Sequence, residues 1–266
     1  MNNYLNQFNL KGKKAIIVGG SGLIGNEIIN VLAEKGAKVY VLDIKKPLIK
    51  KKNKRKINYI HFDCSSNLIE KSYKKILNTF KTPQIFINCS YPTNNHWGKS
   101  DFKNISFVNF KRNIDIHLNS YAWLAKVTAE SMCKSKIKGS IIQFGSIYGL
   151  VGQDLSTYKG AKNMKENMAY SVIKGGVANL TRQMASYYGQ YGIRINTICP
   201  GAVEGHAKAT GKKQDKIFIK NYKNKVPLKR LAKPKEVAAV ALFLSSDLSS
   251  YITGTSLVVD GGWTAI

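Results

Sequence analysis

Short apolar runs alternate along the chain with longer segments in which apolar residues recur at helical spacing. The apolar runs predict strands at Ala15–Val18, Val39–Leu42, Tyr59–Phe62, Ile85–Asn88, Ser140–Phe144, Arg194–Cys199 and Ser256–Val259. The longer segments predict helices at about 22–36, 67–80, 104–133, 167–190 and 235–246. Strands and helices that alternate in this way predict an α/β fold, a doubly wound parallel sheet with helices on both faces.

The chain shows neither a linker-like stretch nor an internal repeat, so residues 1–266 are predicted to form a single domain. Its longest irregular stretches are Tyr91–Lys103, Gly149–Lys165 and Gly201–Lys225, and each follows a predicted strand. Loops beyond the carboxyl ends of parallel strands build the binding sites of doubly wound folds. We therefore expect these three loops to form the walls of a site.

The chain contains no apolar run that approaches the ~20 residues needed to span a membrane. Its amino-terminal segment also lacks the apolar region of a signal peptide. These features predict a cytoplasmic protein without membrane contact.

The cysteines Cys64, Cys89, Cys133 and Cys199 lack metal-binding spacing, which indicates reduced thiols and predicts neither a metal site nor disulfides.

The formal net charge of +27 raises the question of a nucleic-acid partner. The densest basic run lies at 45–56, but lysines are spread over the whole chain and no aromatic residue interleaves that run for base stacking. We therefore predict a small-molecule partner and no nucleic acid. The positive field suits an anionic substrate or cofactor.

The first predicted strand runs directly into a glycine-rich turn that opens the first helix. Glycines let the backbone approach a pyrophosphate closely, and the helix amino terminus supplies N–H donors. The residues predicted to bind a dinucleotide there are Gly19, Ser21, Gly22, Leu23, Ile24 and Gly25. Asp43, after the second strand, is placed to accept hydrogen bonds from an adenosine ribose and to repel a 2′-phosphate. We therefore predict NAD as the cofactor, while Lys45 and Lys46 leave NADP open.

The pattern Tyr-x-x-x-Lys occurs twice between the fifth and sixth predicted strands, as Tyr158/Lys162 and as Tyr170/Lys174. A tyrosine and a lysine four residues apart lie on one face of a helix. There the ammonium lowers the pKa of the phenol towards the working range of a general acid or base. Taken alone, this pattern leaves both pairs open.

Several ordered motifs follow one another along essentially the whole chain. They are Tyr170-Ser171-Val172-Ile173-Lys174-Gly175-Gly176, Leu180-Thr181-Arg182, Gly192-Ile193-Arg194-Ile195-Asn196, Cys199-Pro200-Gly201, Glu236-Val237-Ala238, Phe243-Leu244-Ser245-Ser246 and the segment from Thr253 to Gly262. Together they resemble the short-chain dehydrogenase/reductase family. The resemblance implies a Rossmann-like sheet of about seven strands, NAD(P)-dependent oxidoreduction of alcohols and ketones, and a homo-oligomer, a tetramer or a dimer.

The family's spacing from its catalytic tyrosine to the Pro-Gly after the sixth strand fits Tyr170 and does not fit Tyr158. Its catalytic serine is matched by Ser146, but the serine and the tyrosine are farther apart here than in the family. The resemblance therefore implies an insertion around Gln153–Lys165. We expect this inserted loop to lie over the substrate and to influence specificity.

The resemblance also assigns a role to each member of the Ser-Tyr-Lys set. Lys174 would hold the nicotinamide ribose, and its charge would favour tyrosinate at position 170. Tyr170 would act as general acid or base towards the substrate oxygen. Ser146 would donate a hydrogen bond to that oxygen as charge develops on it.

Two segments depart from the family pattern. The glycines at positions 19, 22 and 25 have the spacing of the family's extended, sugar-nucleotide-modifying branch, and Leu23 stands where the shorter members have glycine. After the fourth strand, Asn88-Cys89-Ser90-Tyr91 replaces the usual Asn-Asn-Ala-Gly. The remaining positions that the resemblance places against the cofactor are Asp63, Cys64, Asn88, Ser90, Tyr170, Lys174, Pro200, Gly201 and Val203.

The family's fourth catalytic residue, usually an asparagine, aligns best with His117. An alternative alignment uses Asn119, two residues later. An imidazole at this position would join a proton relay through Lys174 and water.

The predicted function is an oxidoreductase that acts on a small molecule. The inserted loop and the segment around Tyr170 resemble members from bacterial surface-glycan and flagellin-glycan pathways, which implies a sugar or a nucleotide-linked sugar. The alternatives are 3-oxoacyl thioesters and polyols. A non-catalytic cofactor- or nucleic-acid-binding protein is less favoured, because such a protein has no reason to keep Ser146, Tyr170 and Lys174 together. An epimerase or dehydratase is also less favoured.

Overall fold

The computed structural model describes residues 4–162, 164–205 and 214–266. Its strands are β1 (Lys14–Val18), β2 (Lys38–Asp43), β3 (Ile57–His61), β4 (Ile85–Asn88), β5 (Ser140–Phe144), β6 (Arg194–Pro200) and β7 (Ser256–Val259). Its α-helices are α1 (Leu23–Glu34), α2 (Ile69–Phe80), α3 (Phe107–Asn113), α4 (Asn119–Lys134), α5 (Met168–Tyr188), α6 (Lys216–Lys225) and α7 (Pro234–Ser245). Each predicted strand overlaps an observed one, so the predicted alternation is confirmed.

The strands form one parallel sheet in the order β3-β2-β1-β4-β5-β6-β7. The order reverses between β1 and β4, which pair directly, with Val18 opposite Asn88. In open parallel sheets the carboxyl ends of the strands form a ligand crevice at such a reversal. The predicted doubly wound sheet is confirmed, and its switch point places the ends of β1 and β4 side by side.

The strands are apolar because both faces of the sheet are covered by helices. Along β1, Ala15 and Ile17 belong to the apolar cluster on the side of α1 and α7, whereas Ile16 and Val18 belong to the cluster on the side of α2 and α4. All four side chains are at most 1% exposed. Burying an isoleucine or valine in this way contributes roughly 1.5–3 kcal/mol each, so this alternation fixes which side chains of β1 face each layer of helices.

Helix α6 lies inside the predicted irregular stretch Gly201–Lys225, so that prediction is wrong for residues 216–225. The helix begins after Asp215, whose Oδ1 accepts hydrogen bonds from the backbone N–H groups of Ile217 and Phe218. Only Phe218 and Tyr222 are buried on it, one turn apart. Residues 206–213 of the same predicted stretch lie outside the described residues.

The predicted helix 104–133 is two helices, α3 and α4, joined by the π-helical turn Ile114–Leu118. Single π-helical turns occur mostly inside helices and often at functional sites. Within the three described ranges, no helix combines the length and the apolar character needed to cross a membrane.

Candidate active site

The turn between β1 and α1 requires glycine at two positions. Gly19 has a φ of +80°, and a Cβ there would lie 2.4 Å from the Cα of Ser90. A Cβ on Gly25 would lie 2.3 Å from the carbonyl oxygen of Gly19. The turn therefore passes directly over the end of β4, and α1 packs onto the turn. The first N–H groups of α1 have no partner within the helix, so they are available to an anion at this edge.

Asp43 is held against this turn at the end of β2. Its Oδ2 accepts a hydrogen bond from the backbone N–H of Ser21 at 2.9 Å, and its Oδ1 accepts one from that of Lys45 at 3.0 Å. The Ser21 hydroxyl in turn donates to the carbonyl oxygen of Lys45. A carboxylate has about four acceptor sites, so Asp43 is oriented by these bonds and can still accept hydrogen bonds from a ligand.

A cleft of about 410 Å³ opens at the carboxyl edge of the sheet. The predicted cofactor positions that line it are Gly19, Ser21, Gly22, Leu23, Ile24, Gly25, Asp43, Asp63, Cys64, Ser90, Tyr170, Lys174, Pro200, Gly201 and Val203. Among the described residues, no group of three metal-ligating side chains lies together. The residues fit a dinucleotide, because a glycine-walled turn, a helix amino terminus and an oriented carboxylate follow one another along one cleft.

Asn88 does not lie on the surface of the cleft, so the prediction that it lines the cofactor floor is wrong. Its side chain is fully buried, and its Oδ1 accepts hydrogen bonds from the backbone N–H and the hydroxyl of Ser90. Asn88 therefore fixes Ser90, which does line the cleft.

Tyr170 and Lys174 line this cleft, and Ser146 follows directly on Gly145, which also lines it. Ser146 follows β5 in extended backbone conformation and lies close enough to Tyr170 to act on the pKa of its phenol. Tyr170 and Lys174 lie one turn apart on α5, whose amino-terminal cap Asn167 accepts a hydrogen bond from the backbone N–H of Tyr170. The Nζ atom of Lys174 donates to the carbonyl oxygen of Phe144 at 2.8 Å. The end of β5 and the first turns of α5 thus position all three side chains.

Burial dominates the titration of the tyrosine and the lysine. It lowers the pKa of Lys174 from 10.5 to about 7. It also raises the pKa of Tyr170 above its ordinary value, and the neighbouring Ser146 side chain only partly offsets this. In the protein alone, burial therefore dominates the pKa of the phenol, and the lowering expected from the lysine charge stays a prediction.

The structure places His117, and not Asn119, beside the lysine. His117 is fully buried in the π-helical turn, with its Nε2 atom 3.4 Å from the Nζ atom of Lys174. Its Nδ1 atom has no hydrogen-bond partner among the described residues. Burial and the nearby lysine hold the pKa of His117 well below its ordinary value. Asn119 is exposed, and its amide donates to Asp115 on the outer side of the helix.

Two aromatic residues that the sequence analysis did not assign to the site lie next to the catalytic set. The ring centroid of Tyr91 is 5.9 Å from that of Tyr170, and the centroid of Trp97 is 6.4 Å from it. The two neighbours are 5.5 Å apart and nearly perpendicular. We call the rings of Tyr91, Trp97 and Tyr170 the aromatic corner. Tyr91 carried a sequence signal for this role, since it stands where the family usually has glycine, in a loop predicted to form a site wall.

The second tyrosine-lysine pair does not lie on one helix. Tyr158 ends a short 3-10 helix, Leu155–Tyr158, and the chain is extended at Lys159. The Tyr158 ring packs against Phe218 at 5.4 Å between centroids, and its hydroxyl donates to Gln153. None of the described residues of the inserted loop lines the cleft, and Asn163 of this loop lies outside the described residues.

Comparisons with known proteins agree with the observed fold. A family model described as enoyl-(acyl carrier protein) reductase matches residues 21–264. A short-chain dehydrogenase from Leptospira borgpetersenii, solved with bound NAD+, has a TM-score of 0.84 and 30% sequence identity over 99% of this chain and 96% of that one. Glucose 1-dehydrogenase 2 of Bacillus subtilis is 29% identical over 96% of each chain. Post-translational flagellin modification protein A of Campylobacter coli is 26% identical over 96% of this chain and 99% of that protein.

Proposed function

This chain belongs to the short-chain dehydrogenase/reductase family, and we propose that it is an NAD-dependent oxidoreductase that interconverts a secondary alcohol and a ketone. The observation that carries the proposal is the meeting of Ser146, Tyr170 and Lys174 beside a cleft that the glycine turn also lines. The nicotinamide of bound NAD supplies or accepts the hydride. The protein binds and orients the reactants and moves a proton at one atom.

Tyr170 is the group that moves this proton. Its hydroxyl donates to the carbonyl oxygen during reduction and accepts the proton back during oxidation. The Ser146 hydroxyl donates to the same oxygen and stabilises the charge that develops there. This arrangement is supported by the closeness of the two side chains, since Ser146 acts on the pKa of Tyr170.

Lys174 holds the ribose hydroxyls of the cofactor and is itself positioned by two contacts. Phe144 accepts one of its protons, and His117 lies at the second contact. A protonated lysine has three donors, so one remains for the cleft. His117 is in this proposal a positioning residue that replaces the family's usual asparagine.

The choice of NAD over NADP rests on Asp43. Its carboxylate lines the cleft and is oriented by the N–H groups of Ser21 and Lys45. Asp43→Asn keeps one oxygen acceptor and removes the charge that repels a 2′-phosphate. We expect the ratio of the NADP+ to the NAD+ dissociation constants to fall about tenfold, equivalent to ~1.4 kcal/mol, as measured by titration of both cofactors.

Asp63→Asn is the matched control, because Asp63 is a second carboxylate on the same cleft. It is expected to leave the ratio of the two dissociation constants within about twofold. An unchanged ratio in Asp43→Asn would show that Asp43 does not read the ribose.

The proposed substrate is a ring alcohol, a sugar or a nucleotide-linked sugar. The aromatic corner places the rings of Tyr91 and Trp97 next to the Tyr170 ring, and aromatic faces attract the positive C–H groups of a saturated ring. Two similar proteins are described as a glucose dehydrogenase and a flagellin modification protein. The net charge of +27 favours an anionic derivative.

The test is a substrate panel of sugars and nucleotide sugars, acyclic polyols and a 3-oxoacyl thioester, followed by NADH absorbance. We expect turnover of ring substrates. In Trp97→Ala the KM for a ring substrate should rise about tenfold, because a lost aromatic contact costs ~1 kcal/mol or more, while an acyclic polyol is unaffected. Trp123→Ala is the control, since Trp123 lies on α4 and donates to Glu70. Turnover confined to the acyl thioester would contradict the sugar assignment.

A further inference from the structure

Hydrogen bonds and an ion pair connect the inserted loop to helix α6. The described part of this loop is residues 153–162 with 164 and 165. The side-chain amide of Asn221, on α6, faces three carbonyl oxygens of the loop. It donates to that of Lys159 at 2.9 Å, to that of Thr157 at 3.3 Å and to that of Ser156 at 3.5 Å. One side chain therefore supplies hydrogen bonds to the carbonyl oxygens at the end of the 3-10 helix.

Both ends of α6 also contact the loop. At its amino terminus, Asp215 accepts a hydrogen bond from the backbone N–H of Lys162 at 2.9 Å. At its carboxyl terminus, Lys225 forms an ion pair with Asp154. The Asp154 carboxylate also accepts hydrogen bonds from Ser156 and so orders the turn. The loop thus follows the length of α6.

The other side of the loop is fastened to the start of α5, where the catalytic tyrosine lies. The amide nitrogen of Gln153 donates to the carbonyl oxygen of Asn167 and to the hydroxyl of Ser171. The amide oxygen of Gln153 accepts from the backbone N–H of Asn167 and from the hydroxyl of Tyr158. Asn167 in turn caps α5 and accepts from the N–H of Tyr170.

Helix α6 also packs behind a wall of the cleft. Phe218 and Tyr222 pack in an apolar cluster with Ile147, the neighbour of Ser146. The Tyr222 hydroxyl accepts a hydrogen bond from the backbone N–H of Ala202 at 2.9 Å. A Cβ on Gly201 would lie 2.7 Å from that hydroxyl, so the cleft wall at Gly201 rests directly on α6.

We propose that the inserted loop is a brace that fixes the distance between the start of α5 and helix α6, and so sets how substrate meets Tyr170. Asn221 and Gln153 are its positioning residues. The loop's described residues do not line the cleft, so the proposed effect on substrate passes through α5 and α6. The substrate effect rests on the proposed function; the mechanical coupling between α5 and α6 does not.

Asn221→Ala tests the brace, with Asn224→Ala as its control, because Asn224 is an exposed asparagine on the same helix. Hydrogen exchange is measured at residues 168–171 and 216–225 in both variants. Steady-state kinetics and NADH titration follow on the same proteins. Asn221→Gln, which keeps the amide on a longer side chain, serves as the conservative variant, and Asp154→Asn replaces Asn221→Ala if the latter does not fold.

We expect Asn221→Ala to speed exchange at 168–171 severalfold, although these residues lie on another helix, and to raise the substrate KM about tenfold. The kcat and the NADH dissociation constant should stay within about twofold, and Asn221→Gln should restore part of the KM. Unchanged exchange at 168–171 would overturn the brace. So would an NADH affinity that weakens as much as the KM. Faster exchange at 168–171 in a protein that turns over no alcohol or ketone would keep the coupling and reject the proposed function alone.

Discussion

Tyr170→Phe is expected to lower kcat/KM by about 10³-fold, because it removes the only hydroxyl proposed to move the substrate proton, and general acid–base catalysis contributes ~10²–10⁴-fold. The phenylalanine ring keeps the place of the tyrosine ring beside Tyr91 and Trp97. The fold and the cofactor affinity should therefore survive. Initial rates with the best panel substrate, together with an NADH titration, measure the two effects separately.

Tyr158→Phe is the matched control from the other tyrosine-lysine pair. Its hydroxyl donates to Gln153 outside the cleft, so its loss should cost about 1 kcal/mol of stability and leave kcat nearly unchanged. If Tyr158→Phe were inactive and Tyr170→Phe active, the assignment of the catalytic pair would be reversed.

Lys174→Met is expected to combine a large loss of activity with a gain in stability near neutral pH. Methionine cannot hold the ribose hydroxyls, so kcat/KM should fall by at least about a hundredfold. The same substitution removes a buried lysine, 2% exposed, whose pKa burial lowers from 10.5 to about 7. Lys174 is therefore expected to support activity while lowering the stability of the folded protein.

The stability gain of Lys174→Met over the wild type should depend on pH. Between about pH 7 and 10 the unfolded chain keeps the lysine proton while the folded chain loses it, so the wild type becomes more stable as the pH rises through this window. Below pH 7 both states hold the proton and the cost of burial is complete. The Tm of the cofactor-free Lys174→Met variant should therefore exceed that of the wild type by more at pH 7 than at pH 9. Each unit of the pKa difference corresponds to ~1.4 kcal/mol.

Two features separate the effect of the lysine charge from the other effects of the substitution. The carbonyl oxygen of Phe144 loses its donor in the variant, but that cost is the same at every pH. Lys162→Met, at an exposed lysine, should give a Tm difference that does not change with pH. A difference equally flat for Lys174→Met would mean that the lysine is not held neutral by burial.

Much of the fold and of the proposed catalytic set followed from sequence because local chemistry determines it. Continuous apolar runs specify strands buried on both faces, as in β4 and β5. Gly19 and Gly25 stand where no Cβ fits. Tyr170 was separated from Tyr158 by its spacing to Pro200, and the structure places only Tyr170 beside the lysine of its own pair on a helix. Cytoplasmic location and assembly into a homo-oligomer stay predictions.

The remaining features depend on tertiary contacts that no local pattern encodes. Helix α6 has only two buried side chains, so its apolar period is too weak to detect, and its start depends on the cap at Asp215. Tyr91 and Trp97 meet Tyr170 through the path of a loop. Asn88 looks like a cleft residue in sequence, but its amide turns inward to Ser90.

The π-helical turn Ile114–Leu118 has a consequence for how this site tolerates changes in chain length. A π-helical turn takes up one residue more than an α-helical turn, so the faces of α3 and α4 are out of phase by about 100°. An added or deleted residue in this turn would rotate His117 relative to Lys174, while α4 keeps its contacts with the sheet. The identity of the lysine's neighbour is thus a matter of helical phase as well as of residue type, and an insertion of one residue is sufficient to change it.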